Sequence, residues 1–90
     1  MDMAYFAVSY QLNNQKDYQP LWDEMERLEG HKVMRSFYFL DVDLNTCAQM
    51  RDHLLNFIDN DDAVAVVKIE SRPSHQMGYK GTNDWISARF

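Results

Sequence analysis

Ala4-Tyr5-Phe6-Ala7-Val8-Ser9-Tyr10, running straight into Gln11-Leu12-Asn13-Asn14, decides how the rest of the chain reads. Ala4, Phe6, Val8 and Tyr10 share one phase of a two-residue period, and Tyr5, Ala7 and Ser9 share the other. Apolar residues in both phases describe a strand covered on most of both faces. Such a strand occupies the middle of a small sheet, and its polar exit, residues 10 to 14, is where a rigid end can hold functional side chains.

Moving outward, Gln19-Pro20 suits a first helical turn, because proline lacks the donor that would go unpaired there. Leu21, Met25 and Leu28, with Trp22 beside them, keep a three-to-four spacing against a wet face of Asp23, Glu24, Glu26, Arg27 and Glu29. Gly30 follows as a left-handed stop, so a helix is expected over about 19 to 29. His31 to Asp41 is aromatic and β-favouring, and its alternation fails near Arg35-Ser36. It reads as one long strand with a bulge or kink, or as two short strands that nearly continue one another. Asp41 to Asn45 supplies a turn and an N-cap for a helix over about Thr46 to Ile58, with Cys47, Met50, Leu54, Phe57 and Ile58 on its apolar face. Ala63 to Ile69 is a second buried strand, ended by Pro73. The order is β-α-β-β-α-β, which defines a ferredoxin-like α+β sandwich with both helices on one face of an antiparallel sheet. Residues 1–70 form that domain. Residues 71–90 form a C-terminal tail in which Gly81-Thr82-Asn83-Asp84-Trp85-Ile86 makes a capped helical turn that docks Trp85 and Ile86, on the sheet or across a dimer.

The 90 residues make one domain with a thin core, so pairing with a second copy is expected. Forty-six per cent apolar and 13% aromatic residues are those of a folded protein. Cys47 is the only cysteine, no apolar run is long enough to span a bilayer, and no signal-peptide pattern opens the chain, so a cytoplasmic location is expected. The net charge is −5. Thirteen of the fourteen acidic residues and six of the nine basic ones lie in residues 1–70, giving −7 there and +2 in the last twenty. A body this acidic repels a phosphate backbone over most of its surface, and nucleic-acid binding would need a local basic strip drawn from Lys16, Lys32, Arg35 and the tail.

Phe6-Ala7-Val8-Ser9-Tyr10-Gln11-Leu12 and Lys32-Val33-Met34-Arg35-Ser36-Phe37-Tyr38 together resemble the CRISPR-associated protein two family. Over residues 3 to 70 the likeness is to its small stand-alone bacterial and phage members, which share the late Gly81-Thr82-Asn83-Asp84-Trp85 stretch. The resemblance implies a ferredoxin-like symmetric dimer that acts either as a metal-dependent nuclease or as a scaffold in spacer integration. The nuclease proposal for the family rests on an Asp directly after the first-strand Tyr, one from each protomer. That position here is Gln11, and an amide is a poor anchor for Mg²⁺, which favours carboxylates.

The expectation is therefore a non-catalytic homodimeric interaction module that binds a protein, nucleotide or nucleic-acid partner. Its candidate binding residues are Tyr10, Gln11, Asn13, Asn14, Arg35 and Ser36, and Tyr38, Trp85 and Ile86 serve dimer or tail docking. No catalytic residue, metal ligand or cofactor is expected. One alternative is a metal-dependent RNA or DNA endonuclease that would use Mg²⁺. The other is a phage or mobile-element counter-defence protein that binds a small nucleotide. The clusters Asp41-x-Asp43 and Asp59, Asp61, Asp62 read as helix-flanking, solvated acids. His31, His53 and His75 share no ligand spacing, Cys47 reads as a small core residue, and Ser9 and Ser36 have no activating base. Aromatics left on the open sheet face could stack bases or be covered by a second copy.

Overall fold

A computed structural model describes residues 4–12 and 18–90. Its elements are β1 (Ala4–Gln11), α1 (Gln19–Arg27), β2 (His31–Met34), β3 (Phe37–Val42), α2 (Cys47–Leu54), a 3₁₀ turn (Leu55–Phe57), β4 (Ala63–Lys68) and α3 (Thr82–Arg89). The strands form one antiparallel sheet in the order β2-β3-β1-β4, with β1 paired to β3 on one side and β4 on the other. This is the ferredoxin-like arrangement, and the two central strands, β1 and β3, carry apolar residues in both phases, as strands covered on both faces do.

The even phase of β1 faces α1 and α2. Phe6, Val8 and Tyr10 pack with Leu21 and Met25 of α1, Leu40 and Val42 of β3, and Met50 and Leu54 of α2. The odd phase faces the other way, where Ala7, Val33 and Phe39 lie under Trp85 and Ile86 of α3.

Several local readings need correction. Residues 31–42 do not continue as one line. They reverse at Arg35-Ser36 into a hairpin, and Val33 is an extra residue between the pairs Lys32↔Tyr38 and Met34↔Phe37. The alternation failed there because a bulged residue breaks the two-residue phase, and the turn lacks the Asn-Gly type of signal that marks most tight hairpins. At the end of α1, Gly30 N–H bonds Met25 O and Glu29 N–H bonds Glu26 O, each at 2.9 Å, and the left-handed residue is Glu29 at φ 58°. Gly30 is needed for a different reason: a Cβ there would collide with the Leu40 side chain and sit 3.1 Å from Met25 O. The N-cap of α2 is Thr46, in a reciprocal capping box with Gln49. Glu24 is not on the wet face and is only 5% exposed. β4 is an edge strand buried on one side: Val64 and Val66 pack inward, while Ala63 and Ala65 are exposed and Val67 is 59% exposed.

Candidate functional site

The two residues at the end of β1 point to opposite sides of the sheet, so they belong to two separate surfaces. Gln11 is exposed and borders a shallow hollow of about 230 Å³ with Ser9, Tyr10, Ala63, Val64 and Ala65. None of those residues is a carboxylate. Among the described residues, the donor set there does not fit the divalent ion that a carboxylate after the first-strand Tyr would hold, since Mg²⁺ is bound through carboxylates rather than amide and hydroxyl oxygens alone.

Tyr10 turns to the helix side and carries a network. Its hydroxyl accepts the indole N–H of Trp22 at 2.6 Å and lies 3.4 Å from the carbonyl of Arg35, to which it donates. Its backbone N–H donates to Ser36 O at 3.2 Å, which holds the β2–β3 turn against the strand end. Burial pushes the phenol up to about 12, against the opposing Trp22 bond, so Tyr10 stays a protonated donor. The rings of Tyr18 and Tyr38 lie 5.8 and 6.2 Å from that of Tyr10, and Tyr18 meets Trp22 at 5.4 Å. Lys32 Nζ sits 4.5 Å from the centre of the Trp22 ring. Tyr18 and Trp22 on one side and Arg35 and Ser36 on the other line a groove of about 220 Å³.

Of the residues expected at the site, Tyr10, Arg35 and Ser36 come together, Gln11 lies on the reverse face, and Asn13 and Asn14 fall outside the described residues. Tyr18 and Trp22 complete the groove, and Lys32 lies beside it over the Trp22 ring. Trp22 flanked the apolar stripe of α1 in the sequence, and only the fold sets it beside the hairpin turn. Tyr38 lies on the helix side with Tyr10, away from α3. Trp85 and Ile86 lie on the opposite face, where Trp85 packs on Phe39 at 5.0 Å and on Tyr5 at 6.1 Å.

Polar contacts anchor α3 at both ends. The hydroxyl of Thr82 donates to Tyr79 O at 2.7 Å, so the 2.7 Å contact with His31 Nε2 requires the proton on that nitrogen. Burial first, then Arg89 and His75, hold the His31 imidazole below its usual range. His75 Nε2 meets Asn83 Oδ1 at 2.8 Å, and its Nδ1 accepts from Gly78 N–H at 3.1 Å. At the far end Arg89 bonds Asp41 Oδ2 at 2.7 Å and lies over Trp85, and Phe90 meets Tyr5 at 5.0 Å. Asp41 Oδ1 and Trp85 Nε1 are buried in this interface without a hydrogen-bond partner among the described residues.

A second charged group lies inside the helix layer. Glu24 receives Arg27 through two bonds of 2.6 and 2.5 Å and His53 Nε2–H at 2.5 Å, which ties α1 to α2. Arg27, outweighing the cost of burial, holds the Glu24 carboxyl down at about 2. Arg27 and His53 also line a cavity of about 220 Å³ floored by Leu28, Val42, Leu44 and Met50. In the loop before β4, Asp59, Asp61 and Asp62 bring one oxygen each within 4.8 Å of one another, and Asp62 accepts the Asp59 N–H at 2.7 Å. That bond caps the turn.

No helix among the described residues is long and apolar enough to cross a membrane. Residues 3–77 match the family model described as CRISPR associated protein Cas2.

Proposed function

The chain belongs to the CRISPR associated protein Cas2 family, and from that premise we propose that it is a homodimeric interaction module that binds a partner without cleaving nucleic acid. The observation that carries this reading is Gln11, at the place where the family's ion-holding Asp would stand, in a hollow whose other walls are Ser9, Tyr10, Ala63, Val64 and Ala65. An uncharged amide from each of two copies would not stabilise the charge that builds up in phosphoryl displacement. The acidic body favours the same reading, because most of its surface repels a phosphate backbone. Pairing of copies is supported by the apolar strip Ala63, Ala65 and Val67, which α3 leaves uncovered.

The test is incubation of the pure protein with Mg²⁺ or Mn²⁺ and either single-stranded RNA or duplex DNA. No cleavage is expected from the natural chain, and Gln11→Asp should gain measurable Mg²⁺ binding by calorimetry. Cleavage by the natural chain that a chelator abolishes would overturn the reading. For the dimer, light scattering should give twice the chain mass, and a monomer at all concentrations would remove that part.

A further inference from the structure

We propose that the groove between the Tyr18–Trp22 pair and the Arg35–Ser36 turn binds a nucleotide unit, with the base against the aromatic wall and the phosphate on Arg35 and Lys32. The proposal rests on the partner-binding reading above and specifies where the partner is held and what its chemistry is. The wall is fixed before any ligand arrives: the Trp22 indole is pinned to Tyr10 at 2.6 Å, and Tyr10 is in turn bonded to the turn it faces. A fixed aromatic plane binds a flat ring with little ordering cost. At about 220 Å³ the groove falls below the roughly 300–1,000 Å³ of sites for drug-sized ligands, so it suits one base rather than a larger molecule. Two cations stand at or beside it on a chain of net charge −5: Arg35, exposed in the turn, lines the groove, and Lys32 lies next to it over one face of Trp22. An aromatic face flanked by Arg and Lys is the chemistry that stacks a base and neutralises its phosphate. Ser36 adds a hydroxyl at the rim. Gln11 takes no part, since it lies on the other face of β1.

The test uses the full chain in EDTA, so that binding is read apart from any cleavage. Nucleoside monophosphates, 5′-phosphorylated six-nucleotide single strands of RNA and DNA, and a DNA duplex are titrated while the two indole N–H signals are followed by NMR. The Trp22 signal should shift and that of Trp85, buried under α3, should stay. Trp22→Leu and Arg35→Ala should each weaken binding at least about fivefold, as expected for losing a stacked base or a phosphate contact. Arg35 is exposed, so its variant keeps the fold should Trp22→Leu lose it. With two phosphate contacts, raising salt from about 50 to 200 mM should weaken strand binding about sevenfold. Binding of both probe types assigns a free nucleotide as sufficient ligand, and binding of strands alone assigns a unit within a chain. No Trp22 shift at millimolar probe, binding of duplex alone, or unchanged affinity in Arg35→Ala would overturn the proposal. None of these results bears on cleavage, so failure here leaves the non-cleaving reading standing, and metal-dependent cleavage would not remove the groove.

Discussion

The two faces of the sheet are covered in different ways. On the helix side, α1 and α2 bury Phe6, Val8, Leu40, Met50 and Leu54 almost completely, and the buried acid Glu24 has both its oxygens engaged. On the other side a single eight-residue helix covers Ala7, Val33 and Phe39, leaves two buried polar atoms unpaired, and stops short of β4. An unpaired buried group costs about 1–3 kcal/mol, so the second face gives back part of what its apolar contacts contribute. The helix side specifies the fold, while the α3 side is a lighter attachment held by Trp85, two histidines and one ion pair.

The largest expected effect sharpens this contrast. Phe6→Ala should cost about 3–5 kcal/mol in denaturant unfolding, because the site is sealed and cannot relax around the cavity. Glu24→Gln should cost about 2 kcal/mol, since it removes the charge that faces Arg27 and His53. Trp85→Ala should cost about 2 kcal/mol, less than its size suggests, because the variant also removes an unpaired indole N–H. A Trp85 loss as large as that of Phe6 would break the comparison.

Acidification gives the smallest and most selective effect. The folded state holds His31 below its usual value of 6.5, so its contribution is complete above that pH and is lost as the pH falls below it. The Glu24 carboxyl is at about 2 instead of 4.5, so its contribution is complete above 4.5 and drains away between there and about 2. Amide exchange of residues 82–90 should therefore quicken on going from pH 7 to 5, after correction for intrinsic rates, while α1 and α2 stay protected. Equal loosening of both layers would show that the faces are not independent.

The periodic elements were legible in the sequence: β1, β4 and the first two helices follow from spacing. The tail reads as a capped turn docking on the sheet or across a dimer, whereas α3 has Gly81 at its N-cap with no side-chain cap bond. The hairpin was not legible, because Arg-Ser carries no turn signature and the extra Val33 blurred the phase. Nor was the placement of Glu24 off the wet face, because its partner Arg27, three residues on, equally fits a solvated helix surface, and only the fold brings in His53, 29 residues away. Of the groove's lining, Arg35 and Ser36 stood out through the family resemblance of their stretch, whereas Trp22 looked like one more apolar residue of α1 until the hairpin folded over beside it.

β4 ends the sheet with its outer backbone unclaimed by any described strand, and its sequence, Ala63-Val64-Ala65-Val66-Val67, is the kind that stacks into cross-β fibrils. Asp61 and Asp62 stand immediately before it and Lys68 at its end, so every added layer of a fibril would bring like charges into register. These three charges act as gatekeepers at an edge that no described strand pairs, opposing runaway polymerisation.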